Sequence, residues 1–282
     1  MNRASCFAPL LRLLPSAMRG KQRLARWLIG GSRALQAEIT LETRAGQRIT
    51  APNGLEPIAF NLLISREYEP EVLEVLERRV QPGDTVLDVG ANLGAFTLPL
   101  ARRVGSAGQV FAIEASPAVF PYLERNLSTN QAANVRAVHA AAADRAGQVT
   151  FFDAPAHQFG MSGLGNLAGS TAHAVAAVTL DELLTRAGVT RVAAMKVDVE
   201  GFEVLVFKGA RRLLESGALN FIAFEFLDWA EQRVPGHRPG DAQRFLLELG
   251  FTLWELEDYR HGRPPLDRVL ETGGCMLVAV RQ

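Results

Sequence analysis

The chain has 282 residues, 48% of them hydrophobic and 21% charged, with 30 basic side chains balancing 30 acidic ones. That length and composition suit one elaborated α/β domain with an added segment, and the two cysteines, Cys6 and Cys275 near opposite ends, exclude a disulfide framework or a cysteine-held metal cluster and fit a reducing compartment. Three Trp and three Tyr in an acidic core leave few platforms for stacking bases, which argues against a nucleic-acid partner.

The neutral balance hides an asymmetry. Residues 1–35 hold Arg3, Arg12, Arg19, Lys21, Arg23, Arg26 and Arg33 and no acid, so the remainder carries 23 basic against 30 acidic groups. Leu10, Leu11, Leu13, Leu14, Leu24, Trp27, Leu28 and Ile29 lie among these charges. Two readings stay open: a basic apolar face resting on an anionic membrane, or packing on the chain's own domain or on a second subunit. Arg12 and Pro15 interrupt the apolar run and no small-residue cleavage site follows, which disfavours a signal peptide. No run approaches the ~18 apolar residues of a spanning helix. The expected location is therefore cytoplasmic, with a membrane-peripheral placement as the open variant, and oligomeric state is left undetermined.

Residues 1–68 read as a basic extension in which Glu38 to Ile49 alternates like a hairpin around Ala45-Gly46, with Ile39, Leu41 and Thr43 on one face. The main domain is expected over 69–282. It opens with helical spacing from Glu71 to Val80, stopped by Pro82-Gly83-Asp84.

Thr85 to Thr97, T-V-L-D-V-G-A-N-L-G-A-F-T, is the most informative stretch. Val86, Leu87 and Val89 make a buried parallel strand. Asp88 and Gly90 stand at its carboxyl end, and Asn92 and Gly94 open a helix near Phe96. A diphosphate-binding turn usually reads G-x-G-x-x-G and wants no carboxylate beside it. Asp88 instead suits a cationic ligand, which favours S-adenosyl-L-methionine, whose amino and sulfonium groups are both positive. The next apolar run, Val110 to Ile113, ends in Glu114, placed to accept hydrogen bonds from both hydroxyls of a ribose. Ser116-Pro117 then starts another helix.

Val135 to Ala143 reads as a third strand, interrupted by His139 and closed by Asp144. Asp144 and the Ala143 N–H could hold an adenine edge; the same residues equally suit an Asp144-Arg145-Ala146-Gly147 turn. Phe151 to Ala172 lacks periodicity and holds Gly160, Gly163, Gly165 and Gly169, so it is either a flexible connection or a cover over the ligand, with His157 as a candidate base.

Val192 to Phe202, V-A-A-M-K-V-D-V-E-G-F, places Lys196, Asp198 and Glu200 at two-residue spacing, on one face of an otherwise apolar strand. Charges so placed are paired or functional. Phe221 to Phe226 makes a further strand, and Asp241 to Leu249 a helix stopped by Gly250. Thr252 to Leu256 and Met276 to Val280 make two closing strands, one antiparallel. The connection from Tyr259 to Gly274, with Arg260, His261, Arg263 and Arg268, is expected to reach the active face.

D-V-G-A-N-L-G at 88–94, F-A-I-E-A at 111–115, V-T-L-D-E-L at 178–183, M-K-V-D-V-E-G-F-E at 195–203, K-G-A at 208–210 and F-E-F at 224–226 come in the order seen in FkbM-type methyltransferases, and the chain resembles that family from about Glu69 to about Asp258. The resemblance implies a Rossmann-like class I methyltransferase: a mostly parallel seven-stranded sheet, helices on both faces and an antiparallel strand near one edge. It also implies S-adenosylmethionine-dependent methyl transfer to a hydroxyl of a sugar, glycan or natural product. Cofactor roles fall by position on Asp88, Gly90, Asn92, Gly94 and Glu114.

For such a transfer, Asp198 or Glu200 is the expected base, with Lys196 and Glu225 orienting. The alternative use of Asp198 and Glu200 is to hold Mg²⁺ with a third ligand from the loop. Two other classes share parts of this pattern. A nicotinamide oxidoreductase is disfavoured because Asn92 replaces the second glycine and no Tyr-x-x-x-Lys pair occurs. A non-catalytic binding protein is disfavoured by the intact charged strand ends.

Overall fold

The computed structural model describes residues 3–15, 18, 20–154, 162–165 and 169–281, with backbone alone for 3–5. Runs of β-branched and aromatic residues form its centre. β3 (Thr85–Val89), β4 (Gln109–Glu114), β9 (Ala194–Val197) and β10 (Phe221–Leu227) bury side chains on both faces, as a covered parallel sheet requires. With β5 (Val135–His139), β11 (Thr252–Glu255) and β12 (Gly274–Val280) they make a seven-stranded sheet in the order β11-β12-β10-β9-β3-β4-β5, in which β12 alone runs antiparallel.

Alternation along the strands divides the core. Leu87, Val89, Phe111, Ile113, Met195, Val197 and Phe224 face α7 (Leu180–Arg186), α8 (Glu203–Gly209), α9 (Arg211–Glu215) and α11 (Asp241–Glu248). On the other face Val86, Val110, Ala194, Ala223 and Val278 meet α4 (Pro70–Glu77), α5 (Thr97–Val104) and α12 (Leu256–Arg260). Asp88 and Lys196, partners in the β3–β9 register, also point to this second side.

The segment before residue 69 packs on the sheet's flank. β1 (Ile39–Glu42) and β2 (Arg48–Ala51) form the hairpin, joined by residues 43–47. Ile49, Ala51 and the apolar side of α3 (Pro57–Ser65) share a core with Leu98 and with Leu123 of α6 (Phe120–Thr129). α1 (Arg3–Arg12) and α2 (Lys21–Ile29) add Ala8, Leu11, Ala25 and Ile29 to it. Fully buried Asn126 of α6 ties this layer down: its side chain accepts from the Thr50 N–H (2.8 Å) and donates to the carbonyls of Thr50 (3.0 Å) and Leu93 (2.9 Å).

The stretch from Val135 to Ala143 is not one strand. The chain leaves the central sheet after His139, and β6 (Ala141–Ala142) joins β8 (Thr171–Val178) and β7 (Gly147–Asp153) in a separate three-stranded sheet. The Ala140 N–H, bonded to the Glu114 carbonyl at 3.1 Å, marks the crossing. α10 (Asp228–Glu231) follows β10 directly. Among the described residues no helix is long and apolar enough to cross a membrane.

Asn126→Ala strands the buried Thr50 and Leu93 groups. Urea unfolding should show about 2–3 kcal/mol less stability than the native chain; a loss under about 1 kcal/mol would mean the hairpin is not anchored there.

Candidate active site

The chain enters the sheet at β3, proceeds outward to β4 and β5, and returns to β9 on the other side of β3. Strand order reverses between β3 and β9, and a crevice opens there at the strands' carboxyl ends. Its wall is built from Val89 to Asn92, Glu114 to Ser116, Ala140 to Ala142, Lys196 and Asp198 to Glu200, and Glu225. Glu56 to Ile58 and Tyr68 with Glu69 close it from the amino-terminal layer, and Phe96, Phe151 and Phe202 supply apolar surface.

The β3 turn depends on one close approach. Gly90 sits at φ +77°, and a Cβ there would lie 1.8 Å from the Asp198 carbonyl oxygen, so only glycine lets the two turns meet. Gly90 and Ala91 donate to the Ile113 carbonyl at 2.9 and 3.0 Å. Asn92, also left-handed at φ 49°, donates its N–H to the Glu114 carboxylate at 2.8 Å, while its own Oδ1 is buried without a partner. Glu114 accepts a second N–H, from Ser116, at 2.8 Å. Each of its oxygens accepts one N–H and has a second lone pair, which suits a vicinal diol. Burial pushes the Glu114 pKa upward against these two donors.

Lys196 is buried behind the turn. Its Nζ donates to the Gly90 carbonyl (2.9 Å) and stands 3.4 Å from Asp198, 3.7 Å from Asp88 and 5.2 Å from the Phe96 ring centroid. Burial disfavours its charge, but Asp198, Asp88 and Glu69 together outweigh that and raise its pKa. β9 ends at Val197, so Glu200 does not continue a strand face with Lys196 and Asp198. It reaches the same rim from a left-handed turn, φ 55°, which Glu203 holds by accepting the N–H groups of Val199 (3.0 Å) and Gly201 (3.4 Å). Gly201, φ 97°, lies so close to Ala230 that a Cβ would stand 2.4 Å from its carbonyl carbon.

One oxygen each of Asp198, Glu200 and Glu225 lie within 4.8 Å of one another. Among the described residues, Glu225 of β10 is placed to give a divalent ion its third ligand, while residues 155–161 and 166–168 of the loop lie outside the described residues. Glu69, at φ 39° where α4 begins, faces the same group. Among the described lining residues, six carboxyls (Glu56, Glu69, Glu114, Asp198, Glu200 and Glu225) surround the single ammonium of Lys196. Burial, then the Asp198 charge, pushes Glu200 and Glu225 well above the usual carboxylate range and Glu69 up to about 7. Glu203 is pushed up to about 8 by burial. The crevice thus favours a positive ligand.

Several expected site residues stand elsewhere. Asp88 is fully buried beneath the wall, its carboxylate accepting from Thr97 Oγ1 at 2.5 Å, so it acts on the crevice through Lys196. Gly94 turns toward Leu123 of α6. Ala143 does not line the crevice, because its N–H donates to the Val178 carbonyl at 2.9 Å once the chain has switched sheets, and Asp144 is solvent-exposed beyond it. Ala140 to Ala142 occupy the position intended for that pair. Tyr259 to Gly274 adds nothing to the wall: Arg260 binds Glu74 and Glu257, and Arg263 binds Asp258. From the glycine-rich loop Ser162, Gly163 and Leu164 line the crevice, Gly163 bridging to Phe152; His157 and Gly160 lie outside the described residues. Glu56, Tyr68 and Glu69 were not singled out from the sequence, since no spacing links them to the turns they face.

A family model for the methyltransferase FkbM domain matches residues 88–253. The hexuronic acid methyltransferase AglP of Haloferax volcanii is 27% identical over 157 residues, 56% of this chain and 62% of the relative, so the match spans about three fifths of that protein's length. A 23S rRNA (uracil(1939)-C(5))-methyltransferase of Methylococcus capsulatus is 39% identical over 75 residues, 27% of this chain and 16% of the relative. Among solved structures, a SAM-dependent O-methyltransferase of Thermotoga maritima aligns with TM-score 0.42 and 19% identity, covering 86% of this chain and 77% of that one. An O-methyltransferase of Bacillus cereus in complex with SAH aligns with TM-score 0.42 and 15% identity, covering 75% and 79%.

Two outcomes follow from the geometry. Glu69 and Glu203 have folded pKa values of about 7 and about 8, above the 4.5 of an unperturbed Glu, so their contribution to stability is complete below the unfolded value and lost as pH rises through the folded one. The Tm of the ligand-free protein should fall between about pH 4.5 and 8, and Glu203→Gln should flatten the decline; a Tm that rises over this range would refute the raised values. Gly90→Ala should abolish binding of S-adenosylhomocysteine by calorimetry, and retained affinity would refute the contact between the two turns.

Proposed function

Because the chain belongs to the methyltransferase FkbM family, whose members depend on S-adenosylmethionine, we propose that it methylates a hydroxyl oxygen of a sugar, glycan or natural product. The observation carrying this reading is the crevice at the β3–β9 switch point, where carboxyls far outnumber cations. Such a rim attracts a sulfonium and an ammonium and repels the diphosphate of a nicotinamide dinucleotide. The hexuronic acid named for the Haloferax relative supports a sugar acceptor. An anionic sugar would meet repulsion here, so the proposed acceptor hydroxyl belongs to a neutral or amine-bearing molecule.

The residues fit the methyl donor. Gly90 leaves room for close approach, Asn92 offers an unpartnered Oδ1, and Glu114 has two lone pairs for a ribose diol. When bound, the donor supplies an electrophilic methyl group on a positively charged sulfur. The protein's part is alignment, removal of water and acceptance of a proton. Asp198, held opposite Lys196, is the group proposed to take the acceptor's proton, with Glu200 as the alternative. Lys196 fixes Asp198 and, through the Gly90 carbonyl, keeps the base in register with the cofactor turn. Glu225 and the protonated form of Glu200 are hydrogen-bond donors that orient the acceptor.

The three carboxylate oxygens of Asp198, Glu200 and Glu225 also have the spacing to share a divalent ion, which is the second reading of the same rim. Activity lost on EDTA and restored by Mg²⁺ would select it.

In thermal shift, S-adenosylhomocysteine should stabilise the protein while NAD does not; the reverse result overturns the methyltransferase reading. Asp198→Asn should lower kcat by about 100-fold or more with little change in cofactor Kd. Glu200→Gln, which preserves the shape of a protonated carboxyl, should cost far less. If Asp198→Asn turns over normally and Glu200→Gln does not, the base is Glu200.

A further inference from the structure

We propose that α1 and α2 dock the protein onto an anionic lipid surface. Both helices are apolar on two sides. Ala8 and Leu11 of α1, and Ala25 and Ile29 of α2, bury against the layer that contains α3, whereas Leu10, Leu13, Leu24 and Trp27 point to water. Leu13 and Trp27 are 80% and 79% exposed. Seven large hydrophobic side chains are exposed among the described residues, and five of them, these four with Met18, fall in this one segment. The patch is therefore local to the helical pair and not a general property of the surface.

Its charge selects the occupant. Residues 1–35 contain no acid, and Arg23 and Arg33 are exposed in the same segment, while the Arg26 guanidinium lies over the Phe60 ring, 4.8 Å from its centroid. Leu24 and Trp27 are three apart on α2, hence on one side of it, with Arg23 four before Trp27. A second copy docking through the same patch would set arginine against arginine with no carboxylate of the segment to separate them. A bilayer with anionic headgroups offers phosphates to the arginines and an acyl boundary to Leu13, Leu24 and Trp27, the arrangement of an interfacial helix. Lys21 and Arg12 do not serve this face: Lys21 donates to the Leu14 carbonyl and to Ser65, and Arg12 to the Leu63 carbonyl, fastening the pair to α3. α3 borders the crevice at its other end through Pro57 and Ile58.

The test is co-sedimentation of the complete chain, without methyl donor, with vesicles of phosphatidylcholine alone or with a quarter of phosphatidylglycerol. Binding should be about tenfold stronger to the anionic vesicles and should weaken in high salt. Leu13→Ser with Trp27→Ser should lower it about tenfold, and Arg23→Gln with Arg33→Gln should remove the dependence on phosphatidylglycerol. Circular dichroism melting of each variant checks that the fold persists. No sedimentation with either vesicle, or sedimentation unchanged by both double variants, overturns the proposal. So does light scattering that finds a dimer split by Leu13→Ser with Trp27→Ser, which would assign the patch to a second copy. None of these readouts depends on methyl transfer.

Discussion

One buried ammonium holds the functional end of the sheet together. Lys196 stands at the carboxyl end of β9, opposite Asp88 in register on β3, and donates to the carbonyl of Gly90 just beyond it. An isolated cation in such a place would be prohibitively unfavourable. Asp88 and Asp198 make it tolerable, and in doing so fix where each of them points. The turn proposed to receive the cofactor and the turn that carries the proposed base are therefore parts of one ion-paired unit. The approach of Gly90 to the Asp198 carbonyl is the backbone expression of the same constraint.

Lys196 cannot neutralise everything around it. Among the described residues six carboxyls share the crevice, and burial together with Asp198 drives Glu69, Glu200 and Glu225 to retain protons. A cation entering this space stabilises the ionised carboxylates and releases protons, so ligand binding and carboxyl ionisation are linked. The same linkage separates roles among acids of similar type. A carboxyl that keeps its proton donates a hydrogen bond, and one that has lost it accepts. The distribution of charge around Lys196, more than the identity of any single acid, decides which does which.

The strand-turn-strand framework of the crevice was legible because it is written in short range. Apolar runs ending in Asp88, Glu114 and Asp198 mark parallel strands, and Gly90 marks a turn under close approach. What escaped is long range. A two-residue strand, β6, carries no periodic signal, so nothing in Val135 to Ala143 announces the change of sheet that takes Ala143 and Asp144 away from the crevice. Alternation places Lys196 and Asp198 together correctly, but it overran the end of β9 and assigned Glu200 to a strand face when a left-handed turn delivers it. Asp88 was recognised as an acid of the turn, yet its burial beneath Lys196 depends on a partner 108 residues away in sequence. Glu56, Tyr68 and Glu69 reach the crevice only because the hairpin and α3 pack on α5 and α6, a tertiary fact without a local signature.

That last group bears on how far relatives inform the acceptor. The family match covers residues 88–253, which contain Gly90, Asn92, Glu114, Lys196, Asp198, Glu200 and Glu225. The residues proposed to bind the donor and to accept the proton thus lie inside the shared span. Glu56 to Ile58, Tyr68 and Glu69 lie before it, on a layer that Asn126 fastens to the sheet through Thr50. Two chains that agree throughout the shared span can therefore differ in the wall closing its open side. The proposed chemistry rests on the switch-point turns, which tolerate little change because Gly90 meets the Asp198 carbonyl and Lys196 bonds the Gly90 carbonyl. We propose that acceptor choice rests on this layer, whose apolar side is fixed by packing and whose Glu56, Tyr68 and Glu69 face the crevice.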